Sequence, residues 1–337
     1  MLVRSKSIFF AHDRAGWALE DEASHAMEMA KNLGHQSLDK RPVLGGNLYF
    51  IDRYLFLGAK INPSLLHKVA MNYYHGLPST SDKFGQLLKD LESRGQRLKA
   101  IRVTNNSMES LLRNTSLSDK VLKIPIEVDT SYFQAVTPTM RLASREQLGI
   151  SPEKLVFGSF QKDGIGWGGG LVPKMEKGPD LLRDFAVLSK RSLRNAHFLL
   201  LGPSRGWITN ELKKEGVSFS HFDLSDKTEV ASAYHALDFY CVTSRDEGGP
   251  KSALEALASG IPVISTPVGQ PNDMESNGQG LLISEDVSAD SLFGLVLQLV
   301  EADEWRANRD AAVELSQRYS VGSHEALWRG LFERLTN

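Results

Sequence analysis

Short apolar runs alternate along the chain with segments whose apolar residues recur every three or four positions. Such runs predict buried strands, and the helical spacing predicts helices packed on them. In the first half the pattern predicts a helix at residues 18–33, which ends before Gly34. The same pattern predicts strands at residues 8–11, 48–57, 69–74, 99–103 and 120–124.

The pattern restarts after residue 150. Strands are predicted at residues 155–160, 197–201, 217–219, 239–242, 262–265 and 280–283, and helices at 180–189, 207–215, 227–236, 291–300 and within 303–335. Residues 125–145 have no clear period and carry Pro125 and Pro138, which predicts a linker. The alternation is typical of the α/β class, with parallel sheets covered by helices. We therefore expect two doubly wound halves, at residues 1–145 and 150–320.

Composition changes this picture little. The 337 residues are 41% hydrophobic and 24% charged, with a net charge of −2 that gives no signature of nucleic-acid binding. Residues 1–149 nevertheless carry 20 lysines and arginines against 15 aspartates and glutamates. This excess fits scattered solvated charge, or a surface that meets an acidic acceptor or an anionic membrane. The basic, helical-looking residues 83–102 would suit shallow membrane contact.

The single cysteine, Cys241, lies in an apolar run and rules out an internal disulfide framework. No apolar run approaches 18 residues, and the N-terminal sequence lacks a secretory pattern. These features predict a cytoplasmic protein, with contact at the inner face of a membrane left open.

The richest candidate site is the stretch SRDEGGPKSALEALASG at residues 244–260, which follows an apolar run. Gly248 and Gly249 favour a tight turn, and Pro250 suits the first turn of a helix. A helix that begins there offers unpaired N–H groups to an anion. Glu247 and Glu255 would flank this turn. The alternative is an ordinary acidic residue near a helix start.

Other candidate groups follow other predicted strands. A glycine-rich loop at residues 157–170 is flanked by Lys162 and Lys177, which would suit a diphosphate, or would be solvated lysines on a flexible surface loop. Ser204 and Arg205 could line a base or ribose. Phe222, within residues 221–224, could edge a planar base. In open α/β sheets ligands bind beyond the carboxyl ends of strands, where all these groups are expected.

Three strings together resemble retaining glycosyltransferases of family 4. They are SRDEGGPKSALEALASGIPVISTPVG at residues 244–269, EKGPDLL at 176–182 and IPIEVDTSYF at 124–133. The first is similar to that family's E-x7-E region. The resemblance covers residues 120–285 and implies a GT-B fold, in which two Rossmann-like domains face each other across a cleft. It also implies a last helix, near residues 322–337, that packs back on the first domain.

The resemblance implies a role for each candidate. Glu247 would contact the hydroxyls of the donor sugar, Glu255 the ribose and Lys177 the diphosphate, with Lys162 replacing the family's usual arginine. Backbone N–H groups from Gly249 to Ser252, those of Gly249, Lys251 and Ser252, would cap the sugar and phosphate around Pro250, which has no N–H. His75, in the string NYYHGLP, is similar to a strand-end histidine near the donor sugar. Gly16 would approach the diphosphate.

These roles predict retaining transfer of a sugar from a UDP- or GDP-linked donor to a hydroxyl of a saccharide or lipid-linked acceptor, in polysaccharide or glycoconjugate synthesis. No cofactor or metal ion is expected, because lysines and a helix terminus supply the positive charge. A sugar-nucleotide epimerase and a non-catalytic nucleotide-sugar-binding protein remain alternatives. A periplasmic binding protein has a similar outline but would need a signal sequence.

Overall fold

A computed structural model of the protein describes residues 6–12, 18–43, 45–58, 66–166, 168–274, 276–302 and 305–337. The chain divides into two compact units. The first unit is Met1–Ile126 with Gly322–Asn337, and the second is Glu127–Val321. The first unit therefore takes residues from both ends of the sequence, whereas the second is one continuous segment.

Two six-stranded sheets organise the described residues, one in each unit. The strands of the first unit are β1 (Ser7–Ala11), β2 (Gln36–Ser37), β3 (Gly46–Phe50), β4 (His67–Asn72), β5 (Leu98–Val103) and β6 (Val121–Lys123). Those of the second are β7 (Leu155–Phe160), β8 (Ala196–Leu201), β9 (Phe219–Phe222), β10 (Phe239–Val242), β11 (Val263–Ser265) and β12 (Leu281–Ile283). Every strand pair within the sheets is parallel, which confirms the predicted α/β class.

Helices connect the strands. The first part of the chain has α1 (Ala18–Asn32), α2 (Arg53–Leu57), α3 (Asp82–Gly95) and α4 (Asn106–Arg113). The second unit has α5 (Pro138–Gln147), α6 (Pro179–Ser192), α7 (Gly206–Lys214), α8 (Lys227–Tyr234), α9 (Lys251–Ala258), α10 (Ala289–Ala302) and α11 (Trp305–Gln317). The last helix, α12 (Glu325–Thr336), belongs to the first unit.

The core of the first unit depends on α12. The buried side chains of Trp328 and Phe332 pack in one cluster with Phe10 and Tyr49 of the sheet. The Phe332 ring lies 6.5 Å from the Phe10 ring and 6.2 Å from the Tyr49 ring, in edge-to-face geometry. Burial of such rings is among the largest stabilising contributions in a core. Residues 322–337 are therefore part of the first unit's core.

A buried ion pair lies beside this core. An Nη of Arg102, on β5, bonds a carboxylate oxygen of Glu22, on α1, at 2.9 Å, and both side chains are at least 95% buried. Arg102 also donates to the carbonyls of Ile124 and Pro125, and its guanidinium lies 4.4 Å from the centre of the Trp328 ring. Burial alone would lower the pKa of Arg102, but the charge of Glu22 raises it above its usual value. The pair joins α1, β5 and α12.

The second sheet has strand order β12-β11-β10-β7-β8-β9. From β7 the chain winds outward through β8 to β9, then returns to the other side of β7 at β10 and continues to β12. The winding direction reverses between β7 and β10. Such a switch point opens a crevice beyond the carboxyl ends of the two strands, where ligands bind in this class of sheet. The loops after Phe160 and Val242 therefore frame the candidate site.

Two predicted elements are wrong because capping residues start helices that the apolar pattern does not reveal. Residues 48–57 are not one strand: β3 ends at Phe50, and the side chain of Asp52 accepts from the Tyr54 amide to begin α2. Residues 125–145 are not only a linker. Thr137 caps the Met140 amide at 3.2 Å, and Pro138 occupies the first turn of α5.

Two further segments differ from their predictions. The predicted strand at residues 217–219 is displaced, because β9 spans Phe219–Phe222. Residues 83–102 are not one basic helix: α3 ends at Gly95 and β5 begins at Leu98, which places Arg102 inside the core. Membrane contact through this segment stays a prediction, and only α3 could present it as a helix. Among the described residues, no helix combines the length and apolarity needed to cross a bilayer.

Candidate active site

The loops after β7 and β10 bring Lys177 and Glu247 into direct contact. Nζ of Lys177 lies 2.5 Å from Oε1 of Glu247, and the Ser244 hydroxyl donates to the same oxygen at 3.1 Å. Glu247 is nine-tenths buried, whereas the Lys177 side chain is 22% exposed. The structure therefore joins a carboxylate and an ammonium group, 70 residues apart in sequence, at the switch point.

Gly178 allows this approach. It has a left-handed φ of 62°, and a Cβ at this position would lie 1.8 Å from the carbonyl oxygen of Thr243 at the end of β10. A non-glycine residue would therefore be strained in its backbone and would overlap Thr243. The close contact seats the turn Met175–Lys177 against the β10 loop.

Arg245 locks the same two loops together. Its amide donates to the Glu176 carbonyl at 2.8 Å, and its guanidinium forms a two-pronged pair with Asp180, at 2.8 and 2.6 Å. Burial alone would raise the pKa of Asp180, but the bonds and charge from Arg245 hold it below its usual value. The turn that carries Lys177 is thus fixed from both sides.

We predict that Gly178→Ala lowers both stability and activity. Left-handed strain contributes about 1–3 kcal/mol, and the overlap with Thr243 should add to it and displace Lys177. Gly149→Ala is a matched control, because Gly149 has a φ of 65° and a methyl group there would meet no atom within 4 Å. Denaturant unfolding of both variants measures the difference. Equal losses would contradict a specific role for the Thr243 contact.

Glu255 lies on α9, where it accepts a hydrogen bond from the Tyr234 hydroxyl at 2.8 Å. Burial first, and then the charge of Glu255, raise the pKa of Tyr234 well above its usual value, so it stays a donor. The glycine pair precedes α9: Gly248 is buried, and Gly249, Pro250, Lys251 and Ser252 line the turn into the helix. Pro250 is the residue that caps α9, one position before the predicted first turn.

Lys162 follows β7 by two residues and is partly exposed. Burial lowers its pKa. It lies close enough to Lys174 for the two charges to interact, and Lys174 interacts likewise with Lys177. Lys162 and Lys177 therefore belong to one basic cluster, and Lys174 is a member that the sequence analysis missed. Its signal was the repeated spacing in PKMEK, where two lysines stand three residues apart.

The sequence predicted that Ser204 and Arg205 line a base or ribose. In the structure, their side chains instead bond other residues of the protein. Arg205 is fully buried, paired with Asp163 at 2.9 Å and bonded to the Ser159 hydroxyl at 3.1 Å. The Ser204 hydroxyl donates to the Gly168 carbonyl at 2.8 Å. Both side chains hold the glycine-rich loop against the end of β8. The prediction missed Asp163, the buried partner that draws Arg205 inward.

Phe222 ends β9, two strands from β7, and lines a cavity of about 140 Å³ with Ser144 and Leu148. The structure does not bring it together with Lys177 and Glu247. Gly16 lies outside the described residues.

His75 belongs to the first unit, in the loop after β4, where it is partly exposed. Its ring makes an edge-to-face contact with Phe84, at 5.7 Å between centroids. The next residue, Gly76, has a φ of 119° and its carbonyl accepts from the Tyr73 hydroxyl at 3.0 Å. These contacts fix the turn that carries His75.

No group of three or more His, Cys, Asp or Glu side chains in the described ranges is arranged to hold a metal ion. What the second unit does present is an anion-binding arrangement: lysines, a helix that begins at Lys251, and two carboxylates that can accept from hydroxyl groups. This combination suits a ligand that carries both phosphate and sugar.

Comparison with known proteins supports the GT-B fold. Residues 172–314 match the family model described as "Glycosyl transferases group 1". Anabaena Alr3699/HepE, solved in complex with UDP and glucose, has a TM-score of 0.70 at 13% identity, over 98% of this chain and 99% of that one. The sucrose-phosphate synthase of Thermosynechococcus elongatus has a TM-score of 0.66 at 16% identity, over 96% of this chain and 80% of that one.

Among curated sequences, the chain is 27% identical over 194 residues to the lipopolysaccharide core biosynthesis mannosyltransferase LpsB of Rhizobium meliloti, covering 53% of this chain and 52% of that protein. It is 32% identical over 179 residues to a D-inositol 3-phosphate glycosyltransferase of Stackebrandtia nassauensis, covering 49% and 38%. The chain spans about half the length of the curated relatives it matches, or less. The predicted fold class is confirmed, whereas family 4 and its E-x7-E motif remain predictions.

Proposed function

We propose that the protein transfers a sugar from a UDP- or GDP-linked donor to an acceptor hydroxyl, with retention at the anomeric carbon. The observation that carries this proposal is the contact between Lys177 and Glu247 at the switch point of the second sheet. It joins a cation suited to a diphosphate with a carboxylate suited to sugar hydroxyls. The LpsB relative supports a saccharide acceptor and a role in polysaccharide or glycoconjugate synthesis.

In the proposed reaction, the acceptor hydroxyl oxygen bonds to the anomeric carbon as the bond between the sugar and the diphosphate breaks, and the departing diphosphate takes up the hydroxyl proton. Negative charge grows on the departing diphosphate, and positive charge grows on the sugar ring. Lys162, Lys177 and the amino end of α9 would stabilise the diphosphate. Because these groups supply fixed positive charge, the proposed reaction needs no metal ion. Glu247 would orient the sugar hydroxyls.

The ligand would change the contacts of the site. Lys177 would turn from Glu247 towards the diphosphate, which frees Oε1 of Glu247 to accept from a sugar hydroxyl. Glu255, held by Tyr234, would accept from the ribose hydroxyls. The proposal includes no glycosyl-enzyme intermediate. Retaining hydrolases that form such an intermediate use two carboxylates about 5 Å apart. In the proposed site, only the carboxylate of Glu247 contacts the sugar.

The direct test is a thermal-shift screen against UDP-, GDP- and ADP-sugars, followed by product analysis with and without saccharide acceptors. We expect one class of nucleotide-sugar to raise the melting temperature, and a glycoside to form only with an acceptor. An altered sugar formed without acceptor would indicate an epimerase. Binding without any product would indicate a non-catalytic protein.

Glu255→Ala should weaken binding of the nucleoside diphosphate roughly 10- to 100-fold, as expected for the loss of a charged hydrogen-bond acceptor. Transfer at saturating donor should change much less. Isothermal titration and a comparison of KM with kcat measure the two effects. Glu215→Ala, at an exposed position of the same unit, is the control. A lower kcat with unchanged affinity would contradict the ribose role.

A further inference from the structure

The loop from β7 to α6 gathers three lysines by its backbone hydrogen bonds. The Lys174 amide donates to the Asp163 carbonyl at 2.7 Å, next to Lys162 in the chain. The Lys177 amide donates to the Lys174 carbonyl at 2.9 Å. A bridge between Gly164 and Pro173 closes the intervening glycine-rich residues into a hairpin. Lys174 therefore stands between Lys162 and Lys177 at the carboxyl end of β7.

Three of the nearby carboxylates have other cationic partners. Asp163 pairs with Arg205 at 2.9 Å, Asp180 with Arg245 at 2.6 Å and Glu247 with Lys177 at 2.5 Å. Across the described ranges, the half-buried Lys174 forms no ion pair within 4 Å. Burial lowers its pKa first, the positive charges of Lys177 and Lys162 lower it further, and the negative charges of Glu176 and Asp163 oppose part of this shift. Like charges held together in this way destabilise the empty site.

We infer that Lys174 is a third cation of the proposed diphosphate site and binds the phosphate oxygens alongside Lys162 and Lys177. The inference rests on the proposed function. An anion of two or more charges removes the repulsion between the lysines, because it attracts all three ammonium groups at once. The diphosphate, not the sugar, is the part of the donor that this cluster recognises. Lys174 is therefore a binding residue contributed by the glycine-rich hairpin.

The probe for this inference is inorganic pyrophosphate, measured by isothermal titration on the full chain. Lys174→Ala should weaken binding about 10- to 100-fold, and Lys174→Arg should retain most of the affinity because it keeps the charge. Lys174→Gln keeps a polar side chain that is one atom shorter and uncharged, and serves if the alanine variant unfolds. Lys213→Ala, an exposed lysine on α7, is the matched control and should bind as wild type.

A second readout separates binding from a merely structural role. A bound anion should raise the lowered pKa of Lys174, so pyrophosphate binding should take up protons as the pH approaches that pKa from below. Titration in buffers of different ionisation enthalpy measures this uptake. The uptake should be smaller in Lys174→Gln. An unchanged uptake, together with wild-type affinity, would overturn the inference.

The outcomes distinguish this inference from the proposed function. If wild type transfers a sugar while Lys174→Ala and Lys174→Gln keep full affinity for pyrophosphate and for the donor, the inference is wrong and the transferase stands. If pyrophosphate affinity falls in these variants but no sugar is transferred by wild type, the anion site stands and the transferase is wrong. Failure of wild type to bind pyrophosphate overturns the inference directly.

Discussion

Lys177→Ala is expected to lower kcat for sugar transfer about a hundredfold, the usual effect of removing one group that stabilises developing negative charge. The physical reason is its position at the switch point, 2.5 Å from Glu247 and at the edge of the basic cluster. Steady-state rates with the donor found in the thermal-shift screen measure the effect. Lys214→Ala, 69% exposed on α7, is a control with the same change of charge.

Glu247→Ala should also lower transfer, by at least about tenfold. The double variant should lose less than the product of the two single losses, because each residue positions the other. Retained folding is checked by the melting temperature, since Lys177→Ala leaves a nine-tenths-buried carboxylate without its ammonium partner. Wild-type rates in either folded single variant would count against the whole site.

The second large effect is on stability. Glu22→Ala should destabilise the first unit by about 3–5 kcal/mol, because it leaves the Arg102 guanidinium buried without its carboxylate. Hydrogen exchange of β4 and β5 reports the loss for this unit alone. Glu28→Ala, exposed on the same helix, should change stability little.

Glu22→Leu combined with Arg102→Met tests the origin of that loss. Replacing both charges by apolar side chains removes the unpaired charge, so the double variant should be more stable than Glu22→Ala. If Glu22→Ala were as stable as wild type, the ion pair would not hold α1 to β5.

The sequence predicted the second unit better than the first. Strands β7 and β10 have the bounds that their apolar runs indicated, because both are buried on two faces and flanked by turn residues. The predicted ends of these strands correctly placed Lys162 and Glu247 at the same edge of one sheet. Lys177 could be predicted from the string EKGPD, whose glycine proves necessary beside Thr243.

Other features could not be predicted because they depend on distant partners. Arg102 reads as a surface charge, yet its partner Glu22 is 80 residues away and its aromatic neighbour Trp328 is farther still. Arg205 follows a strand, which is a position that predicts contact with a ligand, yet its ion pair with Asp163 keeps it inside the protein. Lys174 had only the lysine spacing in PKMEK as a signal, and this spacing does not reveal that the backbone returns beside Lys162. In each case the environment of a charge, not its presence, decides its role.

The discontinuous first unit has a consequence for biosynthesis. Residues 322–337 leave the ribosome only after all of Glu127–Val321 has been made. Until then the nascent first sheet lacks Trp328 and Phe332, which complete its packing, and the Arg102 guanidinium lacks its indole. The first unit can therefore complete its core only after the whole of the second unit has been synthesised.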